Sequence, residues 1–120
     1  MAADKEWDVV FHPEFVDEFR GLDREIKVGL GAVFDLLRED GPHLGRPHVD
    51  TLNGSRHANM KEIRVDVASD WYRCAFAFDP VQRAVVLCGG GKGGGSQKKF
   101  YAGLVRVADS RFDEWLTGDE

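Results

Sequence analysis

Long apolar runs are missing from this sequence: no window approaches the roughly 18 consecutive apolar residues that a membrane-spanning helix needs. The opening Met1-Ala2-Ala3-Asp4-Lys5-Glu6-Trp7 has no apolar stretch suited to a secretory signal, so the expected address is the cytoplasm, away from any membrane. Cysteine is scarce. Cys74 and Cys88 sit inside apolar runs, without C-x-x-C spacing, and read as buried reduced thiols in preference to a disulfide or a metal clip. His12, His43, His48 and His57 lack metal-ligand spacing, so no zinc site is expected. Proline is limited to four residues, and no linker or internal repeat divides the chain; residues 1–120 are expected to form a single domain around one core.

What is present is charge, unevenly spread. The net charge of −5 at pH 7 ordinarily speaks against nucleic acid as a partner. Residues 1–40, however, carry 5 Lys+Arg against 11 Asp+Glu, residues 41–106 carry 10 against 5, and residues 107–120 carry 1 against 5. A basic middle between acidic flanks can face an anionic partner on one side of the fold. With 42% hydrophobic residues and three tryptophans, the composition excludes disorder.

Trp7, Val9 and Phe11 alternate with polar neighbours as in a short strand, and Pro13 then suits the first turn of a helix, where its missing N–H leaves no bond unmade. Phe15, Val16, Phe19 and Leu22 follow at helical spacing. Asp23 offers a cap for a second helix whose Ile26, Leu30, Val33, Phe34 and Leu37 form one stripe, ended by Gly41-Pro42. So short a connection folds the two helices back as an antiparallel pair. Residues 41–59 have little periodicity and read as one long loop. Ile63, Val65 and Val67 then alternate with Glu62, Arg64 and Asp66, and Tyr72, Cys74, Phe76 and Phe78 alternate with Trp71, Arg73, Ala75 and Ala77; the turn falls near Ser69-Asp70. Ala84 to Cys88 is a continuous apolar run, as expected of a strand covered on both sides. Ser96 can cap a last helix carrying Phe100, Leu104, Val107, Ala108 and Trp115. The order β-α-α-loop-β-β-β-α predicts an α+β fold with the helices packed on one face of a small, mainly antiparallel sheet.

Six of the seven residues from Gly89 to Gly95 are glycine, the exception being Lys92. Gly89, Gly91 and Gly94 formally satisfy G-x-G-x-x-G, yet only 25 residues follow Gly95, too few for the further parallel strand of a dinucleotide fold, and Lys92 precedes no Ser or Thr as a P-loop requires. The run is either a flexible connector or a phosphate-approaching loop with Lys92 at its tip. If the apolar strand residues face the helices, period two sends Glu62, Arg64 and Arg73 to the opposite, open face. Arg64 and Arg73 then lie close together, and their mutual repulsion calls for an anion or a carboxylate between them: a phosphate, or Glu62 in an ordinary surface ion pair. His57 is either a proton carrier near neutral pH or an uninvolved loop residue. Tyr101, with Lys98 and Lys99, opens the last helix, where it either packs in the core or reaches back to the sheet.

From Phe11 to Leu116 the chain resembles the RelE/ParE superfamily of toxins from bacterial type II toxin–antitoxin pairs, closest to the HigB-like, phage-derived branch. The marks are Leu44-Gly45-x-Pro47, Leu52-x-Gly54, Glu62-Ile63-Arg64, Tyr72-Arg73 with its aromatic strand, the apolar strand ending at Lys92, and Ala108-x-x-Arg111. The resemblance implies a RelE-like α+β domain that cleaves mRNA on the ribosome, needs no cofactor, and is silenced by a cognate helix-turn-helix, HigA-like antitoxin. In that chemistry the 2′-OH attacks its own phosphate, so the site positions RNA, neutralises a phosphorane and assists proton transfer. Arg73 matches the family's phosphate-facing strand arginine and Lys92 its basic residue after the last strand; Arg64 and Glu62 complete the expected catalytic set. His57, Lys61, Lys98, Lys99 and Tyr101 are the expected RNA contacts, with Glu62, His57 and Tyr101 available to move protons. The chain departs from the pattern at Gly91, where many relatives carry a bulky aromatic, at Gly93, where many carry a second base, and at Met60 and Glu62, where the best-known members carry lysines. These departures keep two other readings open: a ParE-like inhibitor of DNA gyrase that performs no chemistry, and a silent partner that only binds its antitoxin.

Overall fold

Two amphipathic helices begin the packing. In the computed structural model, which describes residues 6–68, 70–91 and 95–118, strand β1 (Asp8–Phe11) leads directly into α1 (Pro13–Arg20). His12 occupies the N-cap and its Nδ1 accepts the Glu14 N–H at 3.2 Å, while Pro13 opens the helix. Helix α2 (Arg24–Asp40) buries Ile26, Leu30, Val33, Phe34 and Leu37, the stripe expected from its period, and stops at Gly41, whose φ of +54° suits a residue without a side chain.

The sheet is larger than the sequence suggests. Its order is β1-β5-β4-β3-β2, with β2 (Val49–Thr51), β3 (Met60–Val67), β4 (Asp70–Phe78) and β5 (Arg83–Gly91) forming an antiparallel ladder and β1 running parallel to β5. The supposed long loop thus contains the three-residue edge strand β2, too short to show an alternation of its own. The expected turn residue Ser69 lies outside the described residues; Asp70 opens β4.

The sheet is covered on both faces, which corrects the expectation of helices on one. Helices α1 and α2 pack Phe15, Leu30, Val33 and Leu37 against Ile63, Val65, Tyr72, Cys74 and Phe76. Helix α3 (Gln97–Thr117) packs Leu104, Ala108 and Phe112 against Met60, Ala75, Ala77, Val85 and Leu87 on the reverse side. Ala75 and Ala77 are completely buried because a helix lies on them; their small size admits α3, although in the sequence they look like the solvent-facing half of an alternating strand. The continuous apolar run Ala84–Cys88 is buried on both sides, as its composition demands.

Gly89, Gly90 and Gly91 belong to β5, so the first half of the glycine run is strand and not connector. Close packing explains two of them. A Cβ on Gly89 would come within 2.6 Å of Cε2 and 2.7 Å of Cζ of the buried Tyr72 ring, and one on Gly90 within 2.7 Å of Cε1 of Phe100. Gly89→Ala is therefore expected to destabilise the fold by about 1–3 kcal/mol through overpacking. A lowered urea midpoint with an unchanged slope would show it; a midpoint equal to that of the parent would refute the packing argument.

Candidate functional site

The β3–β4 ladder sets Arg64 directly opposite Arg73. Two unscreened guanidinium groups in such a pair repel, and each is drawn to a carboxylate instead. Arg64 Nη1 donates to Glu62 Oε2 at 2.9 Å, along its own strand. Arg73 Nη1 donates to Asp66 Oδ1 at 2.9 Å and to the Tyr72 carbonyl at 3.1 Å. The Arg73 guanidinium carbon also lies 5.1 Å from the centre of the Trp71 ring, within cation–π range.

Glu62 is the pivot. Its residue is only 4% exposed, and a carboxylate so buried must be paired and hydrogen-bonded to stay charged. Arg64 supplies one partner, and Tyr101, from the first turns of α3, supplies the other by donating its phenol to Glu62 Oε1 at 2.8 Å. Burial, then the hydrogen bond and charge of Glu62, push the Tyr101 phenol above its ordinary range, with Arg73 pulling the other way. Burial alone would weaken the proton affinity of Arg64; the Glu62 carboxylate outweighs it and leaves the guanidinium more firmly protonated than usual. Phe100 stands edge-on to both Trp71 (5.1 Å between centroids) and Tyr101 (5.2 Å), so an aromatic row on α3 and β4 walls the charged group.

Glu62, Arg64, Arg73 and Tyr101 are thus brought together on one face. That face is not the open surface the sequence implied, because α3 covers it and leaves Glu62 and Arg73 buried. The other expected residues are elsewhere. Lys61 alternates to the reverse face, beside Ile63. Lys98 and Lys99 are exposed at the start of α3, and Lys99 lines a separate groove with Glu18, Gly89, Arg106 and Arg111. Lys92 falls outside the described residues. His57 docks on the far end of α3: its Nε2 is 2.8 Å from Asp113 Oδ1 and its ring packs edge-on to Phe112 at 4.9 Å. Asp113 follows Tyr101 by 12 residues, which on a helix is about 18 Å. The neighbouring Ser55 hydroxyl and Arg56 N–H also bond Asp109 there, so His57 belongs to the anchor that holds its loop to α3. Asp66, Trp71 and Phe100 are site residues that sequence reasoning passed over. Trp71, two residues before Arg73 on the same strand and hence on the same face, was the available signal.

Among the described residues, His12, Glu14 and Glu114 gather three ligand-type atoms within 4.8 Å. The imidazole is already employed there: Nδ1 accepts the cap hydrogen bond, which leaves the Nε2 proton for Glu114 Oε1 at 3.1 Å, and Arg111 lies 3.4 Å from Glu14 Oε1. This group ties α1 to α3.

The fold is that of the RelE toxins. The E. coli RelE toxin carrying two arginine-to-alanine substitutions, in its free state, superposes with a TM-score of 0.57 at 14% identity, covering 84% of this chain and 95% of that one. The isolated E. coli RelE toxin gives 0.56 at 18% identity, over 80% and 94% of the two chains. Residues 17–113 match the model of the phage-derived, Gp49-like protein family, and the chain belongs to that family. It is 39% identical over 111 residues to the Mycobacterium tuberculosis protein named toxin HigB3, covering 92% of this chain and 95% of the relative. It is 43% identical over 97 residues to the one named toxin HigB2, covering 80% of this chain but only 48% of that longer relative.

Proposed function

We propose that this toxin of the HigB and RelE type acts as a single domain that cleaves mRNA on the ribosome and is silenced by a cognate helix-turn-helix antitoxin. The observation that carries the reading is the buried Glu62 carboxylate, held between Arg64 and Tyr101 beside Arg73. In this reading Glu62 takes the proton of the attacking 2′-OH, the oxygen bonds to phosphorus, and the bond to the 5′-oxygen breaks as that oxygen takes a proton from water, Glu62 then returning its own proton to solvent. The products are a 2′,3′-cyclic phosphate and a 5′-hydroxyl. Arg73 and Arg64 neutralise the additional charge on the phosphorane, a role for fixed cations in a water-poor site, and Tyr101 fixes the carboxylate. The basic middle of the sequence supports an RNA partner through phosphate contacts.

The second reading is a gyrase inhibitor of the ParE kind. It is favoured by one observation: Arg64 and Arg73 already bond carboxylates of the chain itself. The purified chain added to a cell-free translation reaction separates the two. Cleavage of the translated mRNA supports the ribonuclease, whereas intact mRNA together with a DNA-damage response on induction in cells supports gyrase as the target.

A further inference from the structure

The two arginines of the site are neutralised in opposite ways. At the Arg64–Glu62 pair the carboxylate is the buried member, and it also accepts the Tyr101 phenol. At the Arg73–Asp66 pair the order is reversed: 9% of the arginine side chain is exposed, against 68% of the aspartate. Asp66 stands opposite Trp71 in the β3–β4 ladder, diagonal to Arg73 and on the same face, so it reaches the guanidinium from the turn end of the ladder.

The position of the guanidinium does not depend on Asp66. Arg73 Nη1 also donates to the Tyr72 carbonyl at 3.1 Å, and the Trp71 ring lies against the group. Among the described residues the Asp66 carboxylate has no second hydrogen bond. A phosphate approaching Arg73 meets a carboxylate that already neutralises the cation and repels the newcomer. Exposed ion pairs are weak, so Asp66 can turn into water, whereas Glu62, buried and bonded on both oxygens, cannot leave Arg64 without a large desolvation penalty.

On these grounds, and resting on the RNA-cleaving reading, we infer that Asp66 is a built-in competitor for the substrate phosphate. In the free protein it neutralises Arg73; when RNA binds, the phosphate takes its place on the guanidinium and the carboxylate swings into solvent. Glu62 stays on Arg64 as the proton acceptor. Asp66 thereby sets the affinity for RNA without touching the reacting atoms, and it keeps a buried cation paired until the substrate arrives. An arginine that bonds a carboxylate of its own chain is in this way also available to a phosphate.

The test measures binding of a single-stranded RNA oligomer with 2′-O-methyl sugars, which lacks the attacking hydroxyl, to the parent, Asp66→Asn, Arg73→Ala and the double variant. Asparagine keeps an oxygen that accepts the Arg73 N–H, so the thermal melt should match that of the parent. Asp66→Asn should bind about fivefold more tightly, roughly the worth of an exposed ion pair. Its affinity should also fall more steeply with salt, by about 0.7 in the slope of log K against log salt, because the parent exchanges one ion pair for another while the variant makes a contact that releases counterions. In the Arg73→Ala background the substitution should change neither quantity. In a cell-free translation reaction Asp66→Asn should lower KM more than it changes kcat. Equal affinity, slope and KM in parent and Asp66→Asn overturn the inference, and so does an equal gain in the Arg73→Ala background, which reduces the effect to one lost negative charge. Cutting by both proteins with equal binding removes the competitor and leaves the ribonuclease reading; tighter, Arg73-dependent binding with intact mRNA removes the ribonuclease reading and leaves the competitor.

Discussion

Replacing Arg73 with alanine is expected to lower ribosome-dependent mRNA cleavage by about 10²–10³-fold, the loss seen when one fixed charge-stabilising donor is removed from a transition state. Growth arrest on induction should disappear with it. Arg73 is 8% exposed, braced by the Tyr72 carbonyl and by Asp66, and opposite Arg64 in the ladder, so its guanidinium is fixed, as the proposed role on a phosphorane requires. Removing a braced side chain also loosens the end of β4, and a thermal melt must accompany the assay. Arg73→Lys separates the effects: it retains a charge but not the planar fork, so cleavage should remain well below the parent even where the fold is intact. Full toxicity in a folded Arg73→Ala protein would remove Arg73 from the site.

Glu62→Gln should lower cleavage by about 10²–10⁴-fold, the range for losing a positioned general base. The substitution preserves shape, and its amide oxygen can still accept the Tyr101 phenol. What disappears is the proton acceptor and half of the ion pair with Arg64, whose side chain at 22% exposure can turn to water. The fold should therefore survive, with Tyr101 relieved of a neighbouring negative charge and its phenol returning toward the ordinary range. A spectrophotometric titration reports that return independently of activity. Unchanged cleavage with a shifted phenol would make Glu62 a positioning residue only.

Much of this was legible in the residues. The stripe of α2, the capping Ser96, whose Oγ accepts the Lys99 N–H at 3.1 Å, and the alternation of β3 and β4 all follow from local periodicity and local hydrogen bonds. The grouping of Glu62, Arg64 and Arg73 follows as well, since one tight connection fixes their register. What stayed hidden depends on contacts distant in sequence. The alanines of β4 do not announce that α3 will lie on them, and β2 forms only because Val49–Thr51 meets Lys61–Ile63. The roles of Gly89 and Gly90 are set by Tyr72 and Phe100, one on β4 and one on α3. Likewise His57 precedes the Glu62 strand closely in sequence, yet Asp113 draws it to the other end of α3.

In the proposed reading a chain with net charge −5 meets RNA phosphates through its basic middle. Its acidic residues are concentrated before residue 41 and after residue 106, whereas residues 41–106 carry 10 Lys+Arg against 5 Asp+Glu. Phosphate contacts of this sort are salt-dependent, and so should be the activity.

The most direct test is primer extension on a reporter mRNA in a reconstituted translation reaction, with the purified chain added in the presence and in the absence of ribosomes. Cuts within the translated region only when ribosomes are present, lost in Arg73→Ala and suppressed by the cognate antitoxin, are the predicted result. Intact mRNA in both reactions, or equal cutting without ribosomes, would contradict it.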